Sequence, residues 1–252
     1  MTGQRTAGRD GVSNGQAQGR RGLPRGGLSR ELIVTESLRL LDTEGVAGFS
    51  LPKLGRVLGA DPTAVYRHFA SKDDLVLAIA DRLIAESMAG MEPRACWVDT
   101  VIEGTRRLRA VYLAHPAAAS LSASRTTGGP AEMQAINFLI GAVLEAGFEG
   151  AEAVRVYRAL GDFALYFAGG AADFLALDER AQAADRATWT RAYLAVDRAE
   201  FPHIWQVRLE LPEVIEDEIF DTILSLVIGG LIQQAPRPCG CGAHPAYPAD
   251  PA

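Results

Sequence analysis

Apolar residues recur at spacings of three and four along most of the chain, glycines and prolines interrupt them, and no segment sustains the period-two alternation of a strand. The pattern predicts an all-α fold. Val34, Leu38 and Leu41, flanked by Ile33 and Leu40, form the stripe of a first helix that opens at Ser29 and stops at Gly45. Ser50 is placed to cap a short second helix, residues 51–58. Pro52 falls in its first turn, where a missing N–H costs nothing, and Gly59 ends it. Asp61 and Pro62 repeat the device and predict a third helix over 62–69, two turns long. Ser71, with Asp74 three residues on, caps a fourth. Longer amphipathic segments follow over 73–91, 97–114, 131–146, 151–177, 185–199 and 213–234.

This pattern divides the chain into a basic, disordered tail (1–27), a small helical unit (28–80), a larger helical unit (81–235) and a mobile Pro/Gly/Ala-rich end (236–252). With 252 residues of which 48% are hydrophobic, the chain has enough apolar surface for a sizeable core, which excludes disorder throughout. The longest apolar run, 219–232, is interrupted by Asp221 and Thr222, so no membrane span is expected. The N-terminal arginines precede no apolar stretch, so no secretory signal is expected either. Three cysteines make no disulfide framework, and a soluble protein in a reducing, cytoplasmic setting is expected.

The net charge of −6 taken whole points away from nucleic acid. Through Lys72, however, there are 11 Lys and Arg against 6 Asp and Glu, net +5, and the remainder carries net −11. Phosphate attraction follows local charge density, so the basic front is the part to examine.

Two short helices joined by the tight turn Gly59-Ala60-Asp61 have the dimensions of a helix-turn-helix, whose second helix enters the major groove. The surrounding residues are more specific. Gly45-Val46-Ala47-Gly48-Phe49-Ser50-Leu51, then Leu54, Leu58-Gly59, Val65-Tyr66-Arg67-His68-Phe69 and Ser71-Lys72-Asp73-Asp74-Leu75, resemble the DNA-binding domain of the TetR (tetracycline repressor) family. The match covers residues 29–80. Helical spacing turns Val65 and Phe69 inward and leaves Thr63, Ala64, Arg67 and His68 on other faces. Arg67 suits guanine O6 and N7, Thr63 a base edge or phosphate, and Ala64 a thymine methyl. Tyr66 and His68 suit phosphate oxygens, a role the resemblance implies for Tyr66. Lys72, Lys53 and Ser50 are further candidates at helix starts, where N–H groups favour anions. Leu51 and Pro52 stand where relatives often offer hydroxyl or amide groups, so the second helix is expected to supply fewer contacts.

A single head with few contacts binds weakly, and two-fold pairing on double-stranded operator DNA is the usual remedy. Ile215, Ile219, Ile223, Leu226, Val227 and Gly230 are the candidate homodimer interface, and the resemblance implies a four-helix junction there. It also implies a small-molecule effector pocket, whose occupation separates the heads and releases DNA. Its candidate lining comprises Trp97, Tyr112, His115, Asn137, Tyr157, Phe163, Tyr166 and Phe167, and the low charge of these segments suggests a mainly apolar effector. Phe201-Pro202-His203-Ile204 looks like the tetracycline-repressor branch. The expected function is a ligand-responsive DNA-binding regulator, most readily a repressor.

No nucleophile elbow, phosphate loop, dinucleotide fingerprint or helical zinc-hydrolase motif is present, so the chain is not expected to be an enzyme or to need a cofactor. The alternative is a metal- or redox-responsive regulator sensing through Cys239, Cys241 and His244. Three ligands fall short of a closed structural zinc site, and no metal is expected.

Overall fold

The computed structural model describes residues 27–237 and residue 239, and every regular element among them is helical. Helix α1 (Arg30–Gly48) starts at Ser29, whose hydroxyl accepts from the Leu32 N–H at 3.1 Å. It turns at Gly45, where a φ of 67° suits a residue without a Cβ. Ser50 opens α2 (Leu51–Leu58) by accepting from the Lys53 N–H, and Gly59, at φ 62°, closes it. Asp61 caps the next element by accepting from the Thr63 N–H at 2.8 Å. That element is a tight 3-10 helix, Pro62–Arg67, rather than the longer helix over 62–69. Ser71 caps α3 (Lys72–Met88), and the Asp74 carboxylate reaches back to the Ala70 N–H at 3.0 Å.

The body consists of α4 (Trp97–Ala114), α5 (Pro116–Ser122), α6 (Pro130–Glu145), α7 (Gly150–Leu175), α8 (Glu179–Leu194), α9 (Pro202–Val207) and α10 (Glu216–Gln234). Pro116 reads in sequence as a breaker, yet it occupies the first turn of α5 and thereby starts a helix. The helix expected over 185–199 begins earlier, because Asp178 caps it by accepting from the Ala181 N–H at 2.8 Å.

Two apolar clusters hold these elements. The first joins Ile33, Leu41, Leu54, Val65, Phe69, Leu75 and Ile79 from the front of the chain to Tyr112, Ala118, Ala168 and Ala172 of α4, α5 and α7. The second packs Trp97, Val98 and Val101 of α4 with Val143, Phe148, Leu160, Phe220, Leu224 and Ile228. Full burial of each large aliphatic side chain contributes about 1.5–3 kcal/mol before ordering costs.

Cys96 and Cys239 are joined by a disulfide, with Cα atoms 6.0 Å apart, where a reducing setting without a disulfide framework was expected. The reason is tertiary: the chain leaving α10 passes the end of α6, where Arg237 N–H donates to the Ala146 carbonyl at 3.0 Å, and reaches Cys96 at the start of α4. The described residues 236, 237 and 239 of the expected mobile end are therefore tied to the body. The basic-tail expectation falls on residues 1–26, outside the described residues, as do Cys241 and His244. No single described helix is long and apolar enough to cross a membrane, although the bent pair α7 and α8 passes that test together.

Candidate functional site: a helix-turn-helix head and an internal cavity

The head is assembled by close backbone approach. A Cβ on Gly55 of α2 would lie 2.9 Å from the Ala60 carbonyl oxygen and 3.1 Å from Pro62, so glycine lets α2 and the 3-10 helix meet. Val65 and Phe69 anchor the 3-10 helix in the core, and Tyr66 stands 52% exposed beside exposed Arg67. Arg30 secures the far end. Its guanidinium donates to the His68 carbonyl at 2.8 Å, lies 4.1 Å from the Phe69 ring centroid and pairs with Asp74 at 3.4 Å. Sequence reasoning missed Arg30, because its partners lie 38 and 44 residues away.

The other head candidates are differently engaged. Ala64, expected to face a thymine methyl, is buried at 5% exposure, which corrects that role: it sits in the tight first turn of the 3-10 helix, where its N–H donates to the Asp61 carbonyl at 2.8 Å. The Thr63 hydroxyl donates to Asp61 at 2.6 Å, leaving its oxygen to accept. Thr63 also holds the Asp61 carboxyl below the usual carboxylate range, first through that hydroxyl and then through its backbone N–H. Lys53 pairs with Glu44 of α1. Lys72 is exposed at the start of α3, its Nζ 5.4 Å from the Phe49 ring centroid. Ser50 is half-buried and spends its side-chain oxygen on the α2 cap, and His68 is also half-buried.

In the body, α3, α4, α6 and α7 line a half-open cavity of about 140 Å³. Apolar side chains dominate its wall, among them Ile84, Met88, Leu108, Ile136, Phe138 and Leu165. The polar groups are Ser87, Thr100, Thr105, Glu132 and Tyr157. Burial pushes the Tyr157 phenol up from its ordinary value. The wall is wired to the helix that leaves the head: Asp81 of α3 accepts from the Glu132 N–H at 2.9 Å and the Ala131 N–H at 3.3 Å, capping α6. The Thr127 hydroxyl shares its one proton between the Asp81 and Glu132 carboxylates, each 3.1 Å away, and Glu132 gathers the Thr127 and Gly128 N–H groups at 3.0 and 2.6 Å.

Residues 33–79 match the family described as "Bacterial regulatory proteins, tetR family", and residues 89–235 match "Tetracyclin repressor-like, C-terminal domain". The chain belongs to the TetR family. It is a helix-turn-helix DNA-binding transcriptional regulator with a larger helical C-terminal domain. A TetR-family relative named tetracycline repressor protein class A, from Escherichia coli, is 28% identical over 210 residues, covering 82% of this chain and 92% of the relative. An HTH-type transcriptional regulator of Saccharopolyspora erythraea is 32% identical over 138 residues, 55% of this chain, and the match spans 58% of that relative's length. The Streptomyces coelicolor TetR family protein ActR, solved in complex with actinorhodin, shares the fold at a TM-score of 0.72. Its identity is 23%, with 84% of this chain and 99% of ActR covered.

Against this TetR fold the other sequence-derived residues can be placed. Of the eight pocket candidates, Tyr157 lines the cavity. Trp97 is buried in the second core cluster and Tyr112 in the first. Phe163 and Phe167 pack on Phe220 of α10, with ring centroids 6.3 and 5.5 Å away. Asn137 and Tyr166 are exposed. His115 bridges Asp42 of α1, at 3.0 Å, and Glu86 of α3, at 3.4 Å. Sequence reasoning missed Ser87, Thr105 and Glu132 as cavity residues. The one available signal was the acidic residue in the first turn of α6.

On α10, Phe220, Leu224 and Ile228 face inward, Val227 packs partly against them, and Ile223 and Gly230 are half-buried. Leu226 is 71% exposed, and Ile215 and Ile219 are exposed as well. The Cys239 sulfur is bonded to Cys96, so the metal-sensing alternative loses one of its three ligands and has no support among the described residues.

Proposed function

We propose that this regulator is a cytoplasmic, homodimeric repressor that binds a palindromic operator and releases it when a small, mainly apolar molecule enters the cavity. The observation that carries the reading is the Asp81 cap, since one carboxylate of α3 holds the helix that walls the cavity. A molecule that moves the first turn of α6 acts directly on the helix beside the head. By linkage, effector and operator weaken each other's binding by the same factor. The repressor name of the Escherichia coli relative and the small-molecule complex of ActR support the reading by likeness.

In this reading the head over 28–80 touches DNA through Arg67 on a base edge, with Tyr66, Thr63, His68 and Lys72 on phosphates. Lys53 and Ser50 join only once DNA competes for the partners they now hold. The body over 81–235 supplies effector binding and pairing. The second copy covers the apolar side of α10 that carries Ile215, Ile219 and Leu226, together with exposed Tyr166 and Val154 of α7.

The test begins with an operator selected from a random duplex library. Arg67→Ala is expected to cost about 1–3 kcal/mol and relax preference at one base position, whereas Tyr66→Phe and Lys72→Ala weaken all sequences alike, and Lys72→Ala also lowers the salt slope. Unchanged discrimination in the first variant together with unchanged affinity in the other two would refute the contact assignment. In analytical ultracentrifugation the chain should sediment as a dimer at micromolar concentration and Leu226→Arg as a monomer. A monomeric parent chain would end the pairing claim.

A further inference from the structure

We infer that the cavity takes a molecule of about one aromatic ring carrying a neutral or cationic hydrogen-bond donor, and rejects anions. The inference rests on the cavity being the effector site and adds the chemical class. A cavity of about 140 Å³ is close to the ~150 Å³ engineered apolar site that holds benzene, which sets the size.

The polar inventory of the wall sets the polarity. Ser87 Oγ donates to the Ile84 carbonyl at 2.8 Å and Thr105 Oγ1 to the Val101 carbonyl at 2.9 Å. Each hydroxyl proton is thereby spent within its own helix, and what remains is a lone pair. Thr100 Oγ1 donates to the Cys96 carbonyl at 3.2 Å and already accepts from the Arg94 N–H at 2.9 Å. Glu132 is the single ionisable carboxylate on the wall, which holds no Lys, Arg or His. The hydrogen bonds it accepts from the 127–128 loop fall on Oε2, so Oε1 takes no part in them. Tyr157 is the one side-chain hydroxyl able to donate to a guest.

An anion entering here meets a carboxylate with no countercharge on the wall, in surroundings that strengthen the repulsion. A hydroxyl or ammonium group meets acceptors. A donor bound to Glu132 Oε1 sits on the carboxylate whose other oxygen gathers Thr127 and Gly128, and their loop leads into the α6 start that Asp81 caps. The polar contact that selects the guest is therefore adjacent to the contact that reaches α3.

Three isosteric probes test this on the full chain by fluorine NMR line broadening: para-fluorobenzylamine, para-fluorobenzyl alcohol and para-fluorobenzoate. The amine and the alcohol are expected to bind at least about tenfold more tightly than benzoate. Glu132→Gln keeps an acceptor oxygen and should shrink the amine's preference over benzoate while the alcohol still binds. Benzoate binding as tightly as the other two, or an amine-to-benzoate ratio unmoved by Glu132→Gln, overturns the class. Gly161→Leu, which fills the cavity from α7, separates the two levels of the reading. A Cβ there has only Tyr157 Cε2, 3.9 Å away, as a neighbour. Absence of binding, or binding indifferent to Gly161→Leu, overturns the cavity assignment itself. Binding that Gly161→Leu abolishes, with benzoate equal to the rest, overturns the class alone.

Discussion

Asp81 accepts a hydrogen bond from the Glu132 backbone N–H at 2.9 Å, so a side chain of the helix leaving the head terminates a helix of the cavity wall. Asp81→Ala should cost about 0.5–2 kcal/mol, the range for losing a helix cap. Hydrogen exchange should rise first in residues 130–133. Gly129 allows this contact, because a Cβ there would fall against the Asp81 carboxyl. Gly129→Ala should therefore destabilise by roughly 1–3 kcal/mol, and by clearly less in the Asp81→Ala background. Additive costs in thermal or denaturant unfolding would show that the two residues act separately.

Gly55→Ala should damage the head selectively. The added methyl meets the Ala60 carbonyl and the Pro62 backbone, neither of which has a rotamer to escape through. A loss of about 1–3 kcal/mol and a larger proportional loss of operator binding are expected, with sedimentation unchanged. Denaturation curves beside anisotropy titrations on the selected operator provide the check.

Acid should loosen the joint between α3 and the chain after α5. Arg125 pairs with Asp73 through two 2.7 Å bonds and holds its carboxyl below the ordinary 3.8. A depressed carboxylate stabilises the fold above its unfolded value and stops doing so as pH falls through the folded one. Asp73→Asn should lower stability modestly near neutrality, where the pair contributes, and converge on the parent chain at low pH, so that the profile below about pH 4 is flatter. A profile equally steep in the variant would assign the acid sensitivity to other groups.

The alkaline limb should belong in part to Tyr112. Burial first, and Glu132 second, push its phenol up to about 12 from 10.0. Stability is then complete below the unfolded value of 10.0 and declines as pH rises toward 12. The expected decline is roughly 2–3 kcal/mol, and Tyr112→Phe should remove it. Urea midpoints between pH 9 and 12 would measure the difference.

Much of the fold was legible because its signals are local. Ser29, Ser50, Asp61 and Ser71 each bond an N–H within three residues, and Gly45 kinks α1 and Gly59 ends α2 for reasons that need no partner. The motif around Tyr66 and Arg67 is likewise contiguous. What stayed hidden depends on distant partners. Ala64 follows the turn at Asp61 and is buried there, and Cys96 meets Cys239 across 143 residues. The cavity was sought in aromatics, yet Trp97, Tyr112, Phe163 and Phe167 are consumed by helix packing, while small residues such as Gly104 and Gly161 leave the space.

The first core cluster runs without interruption from Ile33 and Phe69 to Tyr112, Ala118 and Ala172. A head that shares its interior with the body is not a passenger on a flexible hinge. Its close-packed side chains can exchange one arrangement for another but cannot deform continuously. In the proposed dimer the distance between the two operator-reading surfaces would then change in steps, with a threshold, and the proposed effector would bias which step is occupied.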